Sequence, residues 1–270
     1  MMYKTNQISN GVKLSVIVPA YNEEKRLPKT LREIYKYLST RAIAKGEDER
    51  SSSTTQSYDS EIIVVSDGSK DRTVEVVKEM MPTIKNLRVI DEKENYGKGY
   101  AVRQGMLKAK GDYRLFTDAD NSTSIDQVEK MWPEFERGYD IVSGSRDIKG
   151  AVLDPPQSWW RMRIGDIFNL FVQAIVGLWG IWDTQCGFKG FTKKSVEDVF
   201  PRCKINRFAF DPEILVIAKK LGYKIKEIPV IWKNDPESKV KFKNMVKMGI
   251  DLLKVRWNLV TKKYTKKHVQ

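Results

Sequence analysis

Histidine and cysteine are scarce in this chain, and no apolar run of membrane-spanning length goes uninterrupted. His268 is the only histidine of 270 residues, which excludes a histidine-based zinc site and a Ser-His triad. The only cysteines, Cys186 and Cys203, suit a reducing cytosol better than a disulfide scaffold. Met1 to Lys13 is polar and has no apolar h-region, so no signal peptide is expected. Ile164 to Trp182 is nearly long enough to cross a bilayer, but Asp166, Asn169 and Gln173 break it at helical spacing. Acids are also in short supply: 35 Asp+Glu face 48 Lys+Arg, a formal net charge of +13. Hydrophobic content of 41% is normal for a folded domain, so the charge does not signal disorder. It points instead to an anionic partner: nucleic acid, acidic lipid or a phosphorylated substrate.

The length allows one good core, or at most two small ones. Apolar β-branched runs at Leu14–Val18, Glu61–Ser66, Leu87–Ile90 and Tyr113–Thr117 read as buried strands. Between them lie helical patterns, one opening at Asn22-Glu23-Glu24 and carrying Leu27, Leu31, Ile34 and Leu38 on one face. A second helix follows Asp71-Arg72-Thr73 with Val74, Val77 and Met80 or Met81, and a third runs from Lys98 to Ala109. Lys45 to Ser60 is polar, Ser/Thr-rich and low in complexity, an exposed loop insertion without chemistry. This alternation predicts an α/β fold with a mostly parallel central sheet and helices on both faces. Ligands of such sheets bind beyond the carboxyl ends of the strands. Pro19–Glu23, Asp67-Gly68-Ser69 and Asp118-Ala119-Asp120 all fall there.

Asp118 and Asp120 are spaced one residue apart where the fourth strand ends, so strand alternation would send both carboxylates the same way. Hard divalent cations take oxygen ligands, often one or two carboxylates completed by substrate phosphates. The pair therefore reads either as a Mg²⁺ or Mn²⁺ site or as a solvated turn. A dinucleotide enzyme is disfavoured. Gly97-Lys98-Gly99 opens the third helix rather than the first, and Val102 stands where the third glycine belongs. These glycines better suit a tight turn or a phosphate approached by backbone. Asn121-Ser122-Thr123 fits a glycosylation sequon, read here as coincidence.

Taken together, Val18–Glu24, Val65–Thr73, Asn95–Gly99 and Asp118-Ala119-Asp120 resemble the ordered motifs of inverting family 2 glycosyltransferases, over roughly Leu14 to Trp257. Gly144-Ser145-Arg146, Asp183–Lys189 and Phe208–Glu213 are similar to the polyprenyl-phosphate sugar transferases, nearest to the dolichyl-phosphate β-glucosyltransferase branch. The resemblance implies the GT-A fold. It also implies a donor site of Pro19, Tyr21, Glu23, Asp67, Gly68, Lys98, Asp118, Ala119 and Asp120. Asp67 would accept from the uracil N–H, and Asp118 and Asp120 would hold the metal. Two departures stand out: Ser66 replaces a frequent second aspartate, and no hydrophobic N-terminal anchor is seen. No Gln-x-x-Arg-Trp element of processive polysaccharide synthases is present either.

A lipid monophosphate acceptor, with a second pKa of about 6, is substantially ionised near neutral pH. It needs orientation and charge compensation more than a strong base. Arg146, Arg161, Arg163 and Lys239 are candidates for its phosphate, since guanidinium forks match phosphate oxygens. Arg161 and Arg163 read equally well as surface charge. Asp183 and Asp211 are candidate contacts to sugar hydroxyls or acceptor, or else plain caps.

Residues 156–182 are expected to form an interfacial helix inserted in a glycosyltransferase domain of residues 1–235, with Trp159, Trp160, Trp179 and Trp182 at its ends. Residues 236–270 read as a basic amphipathic helix and tail, with Phe242, Met245, Gly249, Leu252, Leu253 and Val260 as the apolar stripe. The expected protein is a peripheral enzyme on the cytoplasmic face of a membrane. Its expected partners are a nucleotide sugar, a polyprenyl phosphate and anionic lipid, with no nucleic acid. It would move glucose from UDP-glucose to the polyprenyl phosphate with inversion. GDP-mannose, UDP-GlcNAc or a hydroxyl acceptor are the alternatives.

Overall fold

The computed structural model describes residues 12–43, 58–156, 159–233 and 242–265. Its first half alternates β1 (Val12–Ala20), α1 (Leu27–Ile43), β2 (Tyr58–Asp67), α2 (Thr73–Met80), β3 (Leu87–Glu92), α3 (Lys98–Lys108) and β4 (Tyr113–Thr117). A short 3-10 turn and α4 (Trp132–Glu136) lead to β5 (Ile141–Ser145), β6 (Val152–Asp154) and α5 (Trp159–Val176). Then come β7 (Phe188–Thr192), α6 (Lys193–Val199), α7 (Phe210–Lys220), β8 (Ile225–Pro229), β9 (Ile231–Lys233) and α8 (Phe242–Val260).

Seven strands form one sheet in the order β3-β2-β1-β4-β7-β5-β8, and β6 pairs with β9 apart from it. Within the large sheet only β7 runs against its neighbours, antiparallel to both β4 and β5. It follows that β4 and β5 run the same way, so both release the chain at one edge. Alternation along each strand sorts the core into two layers. Ile17, Ile63, Val65 and Phe116 face α3, α5, α7 and α8, whereas Val16, Val18, Ile62, Val64 and Leu115 face α1, α2 and α4. Each fully buried aliphatic side chain contributes about 1.5–3 kcal/mol. The two-sided sheet thus explains the continuous apolar runs of β1 and β2.

Several boundaries differ from those the sequence suggests. α1 begins at Leu27, because Asn22 takes a left-handed conformation (φ 54°) and the chain turns before it coils. β2 begins at Tyr58, so 58–60 of the expected insertion belong to a strand, and 45–57 lie outside the described residues. α5 stops at Val176 rather than reaching Trp182, since Gly177 has φ 76°. Its facing also differs from the expected pattern. Gln173 is buried, whereas Ile167, Leu170 and Phe171 are exposed. The stripe expected on α8 is split for a simple reason: adjacent helical positions lie about 100° apart. Leu252 is buried and Leu253 and Val260 are exposed, with Ile250 and Trp257. Met248, Leu252 and Val255 of α8 join the core layer of Ile17 and Phe116, so packing does not stop at residue 235. Among the described residues no helix is long and apolar enough to cross a membrane.

Candidate active site

The loops leaving β1 and β2 are laced together. Asn22 Oδ1 accepts from Lys70 N (2.8 Å), and Glu23 N donates to Thr73 Oγ1 (2.8 Å). Glu24 N donates to Asp71 Oδ2 (3.2 Å), and Arg72 N returns a bond to Glu24 Oε2 (2.9 Å). Tyr21 stands exposed at the rim of this wall, and Glu23 pairs with Arg26 (2.8 Å). Pro19 lies inside β1 opposite Val65 and is buried, so it supports the wall from within.

Asp67 ends β2 almost wholly buried. Its Oδ1 accepts from Tyr96 N (2.9 Å) and its Oδ2 from Gly97 N (2.8 Å), while its carbonyl accepts from Asn95 Nδ2 (3.1 Å). Burial raises the Asp67 pKa, and the two N–H bonds offset part of that. Gly68 follows at φ 67°, in the turn that rests on Glu94 and Asn95. The carboxylate thus shapes the turn that starts α3. Ser66 is also fully buried and bonds Ser69 Oγ (3.1 Å); a second carboxylate at this position would be a buried charge.

Asp118 and Asp120 lie past the end of β4, in a turn closed by Asn121 N on Asp118 O (3.3 Å). Turn geometry, not strand alternation, therefore sets their directions. Ala119 between them is buried in the core, and its carbonyl accepts from Thr30 Oγ1 (2.7 Å); it anchors the turn. Asp118 Oδ1 pairs with Lys98 Nζ (2.5 Å), and Asp120, exposed, accepts Ser122 N at Oδ1 (2.9 Å). Gly187 presses on the Asp118 carboxylate so closely that any side chain there would displace it.

Beneath this pair sits a second one. Lys189, fully buried on β7, reaches Asp211 Oδ1 (2.8 Å) at the start of α7 and donates to Cys186 O. Burial raises the Asp211 pKa, opposed by Lys189 and Lys98. Burial works against the Lys98 ammonium, yet Asp118, Asp211 and Asp120 hold its pKa above the ordinary lysine value. The centre is thus an alternation of two ammoniums and three carboxylates. Hard oxygen donors at Asp118 and Asp120 fit Mg²⁺ or Mn²⁺. Among the described residues no group of three or more His, Cys, Asp or Glu forms a closed cage, so phosphate oxygens would have to complete the coordination.

On the far side of β7, Arg146 follows β5. Its Nε and Nη2 grip Asp183 Oδ2 and Oδ1 (2.7 and 2.9 Å), and its backbone N donates to Oδ2 (3.0 Å). Trp232 lies 5.6 Å beneath the guanidinium. Burial opposes the Arg146 charge, but Asp183 more than restores it and raises the pKa. Burial likewise opposes the Asp183 carboxylate, and Arg146 brings its pKa below the usual value. Asp183 is fully buried and also accepts from Gln185 N (3.1 Å). Both its oxygens are engaged in fixing Arg146. Asp211 is likewise buried, against Lys189. Arg163 is exposed on α5; the side chain of Arg161, and Lys239 as a whole, lie outside the described residues.

Sequence reasoning missed Lys189 and Glu227. Lys189 was legible as a lysine inside the otherwise apolar Phe188–Thr192 strand. Glu227, which accepts from Trp182 N and Asp183 N (both 2.8 Å), gave no local signal.

The chain is similar to known proteins in sequence and in fold. The profile described as Glycosyl transferase family 2 matches residues 15–200. The chain is 41% identical to a dolichyl-phosphate beta-glucosyltransferase of Trichomonas vaginalis, over 91% of this chain and 73% of that one. It is 36% identical to the dolichyl-phosphate beta-glucosyltransferase of Homo sapiens, over 92% and 76%. Among solved structures, mannosyl-3-phosphoglycerate synthase from Rubrobacter xylanophilus superposes with a TM-score of 0.65 at 16% identity, covering 96% of this chain and 77% of that one. Glucosyl-3-phosphoglycerate synthase from Mycobacterium tuberculosis, in complex with Mn²⁺, UDP and glucosyl-3-phosphoglycerate, superposes at 0.61 and 15% identity, over 90% and 78%. At such identities the likeness concerns the fold, which is GT-A. With the strand-end motifs, the sheet and the family profile in agreement, the chain belongs to glycosyltransferase family 2 and is a glycosyltransferase.

Proposed function

We propose that this enzyme transfers glucose from UDP-glucose to a polyprenyl phosphate, dolichyl phosphate above all, with inversion at the anomeric carbon. The observation that carries the reading is Arg146, fixed by buried Asp183 at the same sheet edge as Asp118 and Asp120. A preset guanidinium suits an anionic acceptor, and its remaining N–H groups can meet phosphate oxygens. Asp211, coupled to the same centre, is tied to Lys189 and buried, which suits an acceptor that needs no deprotonation.

In this reading, the walls built by Asn22–Glu24 and Ser69–Thr73 hold the base and ribose below Tyr21. Asp67 sets the Asn95–Gly97 turn against which the nucleotide lies. Asp118 and Asp120 would hold Mg²⁺ or Mn²⁺, which supplies Lewis-acid stabilisation of the departing diphosphate. Lys98 balances the charge of Asp118 and adds a cation beside the phosphates. Arg146 holds the acceptor phosphate on the opposite side, where one of its oxygens attacks as the C1–O bond to UDP breaks. The dolichyl-phosphate beta-glucosyltransferase relatives support glucose and a lipid phosphate, and the UDP-bound neighbour supports the nucleotide.

The exposed Ile167, Leu170 and Phe171 of α5, with Ile250, Leu253 and Trp257 among the cations of α8, support peripheral docking on an anionic membrane. The cytoplasmic face is part of this proposal. Incubation with radiolabelled UDP-glucose or GDP-mannose and a polyprenyl phosphate, followed by organic extraction, tests the reading. Label should enter the lipid phase from UDP-glucose as a β-linked product. Label from GDP-mannose alone, or an α-linked product, refutes it.

A further inference from the structure

Glu213 is a fully buried carboxylate for which the transfer reaction has no use. It lies on α7, and each oxygen accepts from the backbone of the segment before that helix: Oε1 from Lys204 N and Oε2 from Ile205 N, both at 2.9 Å. Oε1 also accepts from the hydroxyl of Tyr264 (2.8 Å), in the turn that follows α8, and Asn258 Nδ2 donates to that hydroxyl (3.3 Å).

The segment held by Glu213 abuts the donor site. Asn206 O accepts from Tyr100 N (3.1 Å), and it sits where a side chain on Gly97 would have to go. Arg103 of α3 bonds Cys203 O and Asn206 Oδ1, both at 3.0 Å. Gly97 in turn donates to Asp67, and Lys98 beside it pairs with Asp118. One chain of bonds therefore runs from the end of α8, through Tyr264, Glu213 and 204–206, to the first turn of α3.

We propose that Tyr264 and Glu213 are positioning residues through which the C-terminal helix α8 sets the donor-site turn at Gly97 and Lys98. Keeping a carboxylate without solvent is costly, and here two of its bonds organise backbone next to the nucleotide side of the site while the third ties it to Tyr264. A hydrophobic residue would fill the space but could not hold two adjacent N–H groups. The inference rests on the donor reading above for its substrate. Its geometric part, the link from Tyr264 to Gly97, is independent of that reading.

Tyr264→Phe tests it, because the ring stays and only the hydroxyl leaves. UDP affinity by calorimetry should fall about fivefold or more, the usual lower range of coupling between sites. The KM for donor should rise while kcat at saturation holds. Amide exchange should quicken at Gly97 and Tyr100. Leu38→Ala, buried on α1 in the opposite core layer, serves as a destabilised control and should leave UDP affinity unchanged. Tyr264→Phe with wild-type UDP affinity and wild-type protection at Gly97 and Tyr100 overturns the inference, whatever its Tm. A wild-type protein that binds no UDP overturns the donor reading instead. The exchange measurement then decides the positioning role alone.

Discussion

Arg146 and Asp183, 37 positions apart in the chain, meet as a two-pronged ion pair with N···O distances of 2.7 and 2.9 Å. The carboxylate is wholly buried and the guanidinium is not, so the pair aims its charge outward. Two planar forks fit each other in a way that an ammonium cannot match.

Arg146→Lys should therefore keep the charge and lose the aim. The KM for the lipid phosphate should rise about tenfold, equal to about 1.4 kcal/mol, with the donor KM unchanged. Arg146→Ala leaves Asp183 buried without its partner and should cost about 3–5 kcal/mol of stability. Steady-state kinetics and urea melts read the two effects. An acceptor KM unmoved by the lysine would remove Arg146 from the acceptor site.

For the acidic turn, Asp120→Asn should abolish turnover and weaken Mn²⁺ binding in the presence of UDP by more than about tenfold, since one hard anionic ligand is lost. Its melting temperature should stay near that of the wild type, because Asp120 is exposed. Titration followed by electron paramagnetic resonance measures the ion directly. Full activity in excess chelator would contradict the metal site.

Lys189→Met strands Asp211, so a loss of about 3–5 kcal/mol is expected. Adding Asp211→Asn should restore part of it, because the stranded charge is gone. A double-mutant cycle by chemical denaturation gives the coupling. Strict additivity would mean the two groups do not act as a pair.

Burial lifts the Glu213 pKa from 4.5 to about 7, with bonds from Ile205 N, Lys204 N and Tyr264 and the charge of Arg103 opposing. The folded state thus holds a proton that the unfolded chain releases. Stability from this group is complete below about pH 4.5 and lost as pH rises through about 7. At 1.36 kcal/mol per pKa unit the loss is about 3 kcal/mol. Denaturation at pH 5 and pH 8 should show it in the wild type and not in Glu213→Gln. Equal pH dependence in both would refute the assignment.

Phe171→Glu together with Leu253→Glu should abolish flotation with anionic vesicles and leave the fold intact, as both side chains are exposed. Wild-type flotation should weaken as salt rises, because the Debye length shrinks from about 10 Å at 0.1 M to about 3 Å at 1 M. Flotation indifferent to lipid charge would refute the electrostatic part.

The half proposed to hold the donor was largely legible. Its strands are continuous apolar runs that end in turn residues, with Asp67 and Asp118 at two of those ends and Lys98 at the start of α3. Three things were not. The direction of β7 is hidden, because Phe188–Thr192 reads the same in either sense. The Arg146–Asp183 and Tyr264–Glu213 bonds join distant positions, and nothing local announces a partner 37 or 51 residues away. The facing of α5 was misjudged because Gln173 looks like a surface residue. The structure buries it and exposes Leu170, which periodicity alone cannot decide when polar and apolar residues are nearly balanced around the helix.

The reversed strand β7 has an evolutionary consequence. The groups proposed for the donor come from the ends of β1, β2 and β4 and the start of α3, within residues 19–120. The segment Asp183–Gly187, which holds the arginine proposed for the acceptor, instead enters the edge as the chain returns, and meets the first half at the Gly187–Asp118 contact. The two halves are coded by separate stretches of chain, joined along the β4–β7 pairing and again where Cys203 and Asn206 meet Arg103 and Tyr100 of α3. Changes after Arg146 therefore reach the first turn of α3 as well as the far side of β7. A chimera cut between β4 and β5 would carry Glu213 and Tyr264 across with β7, so the proposed acceptor and donor preferences would move together.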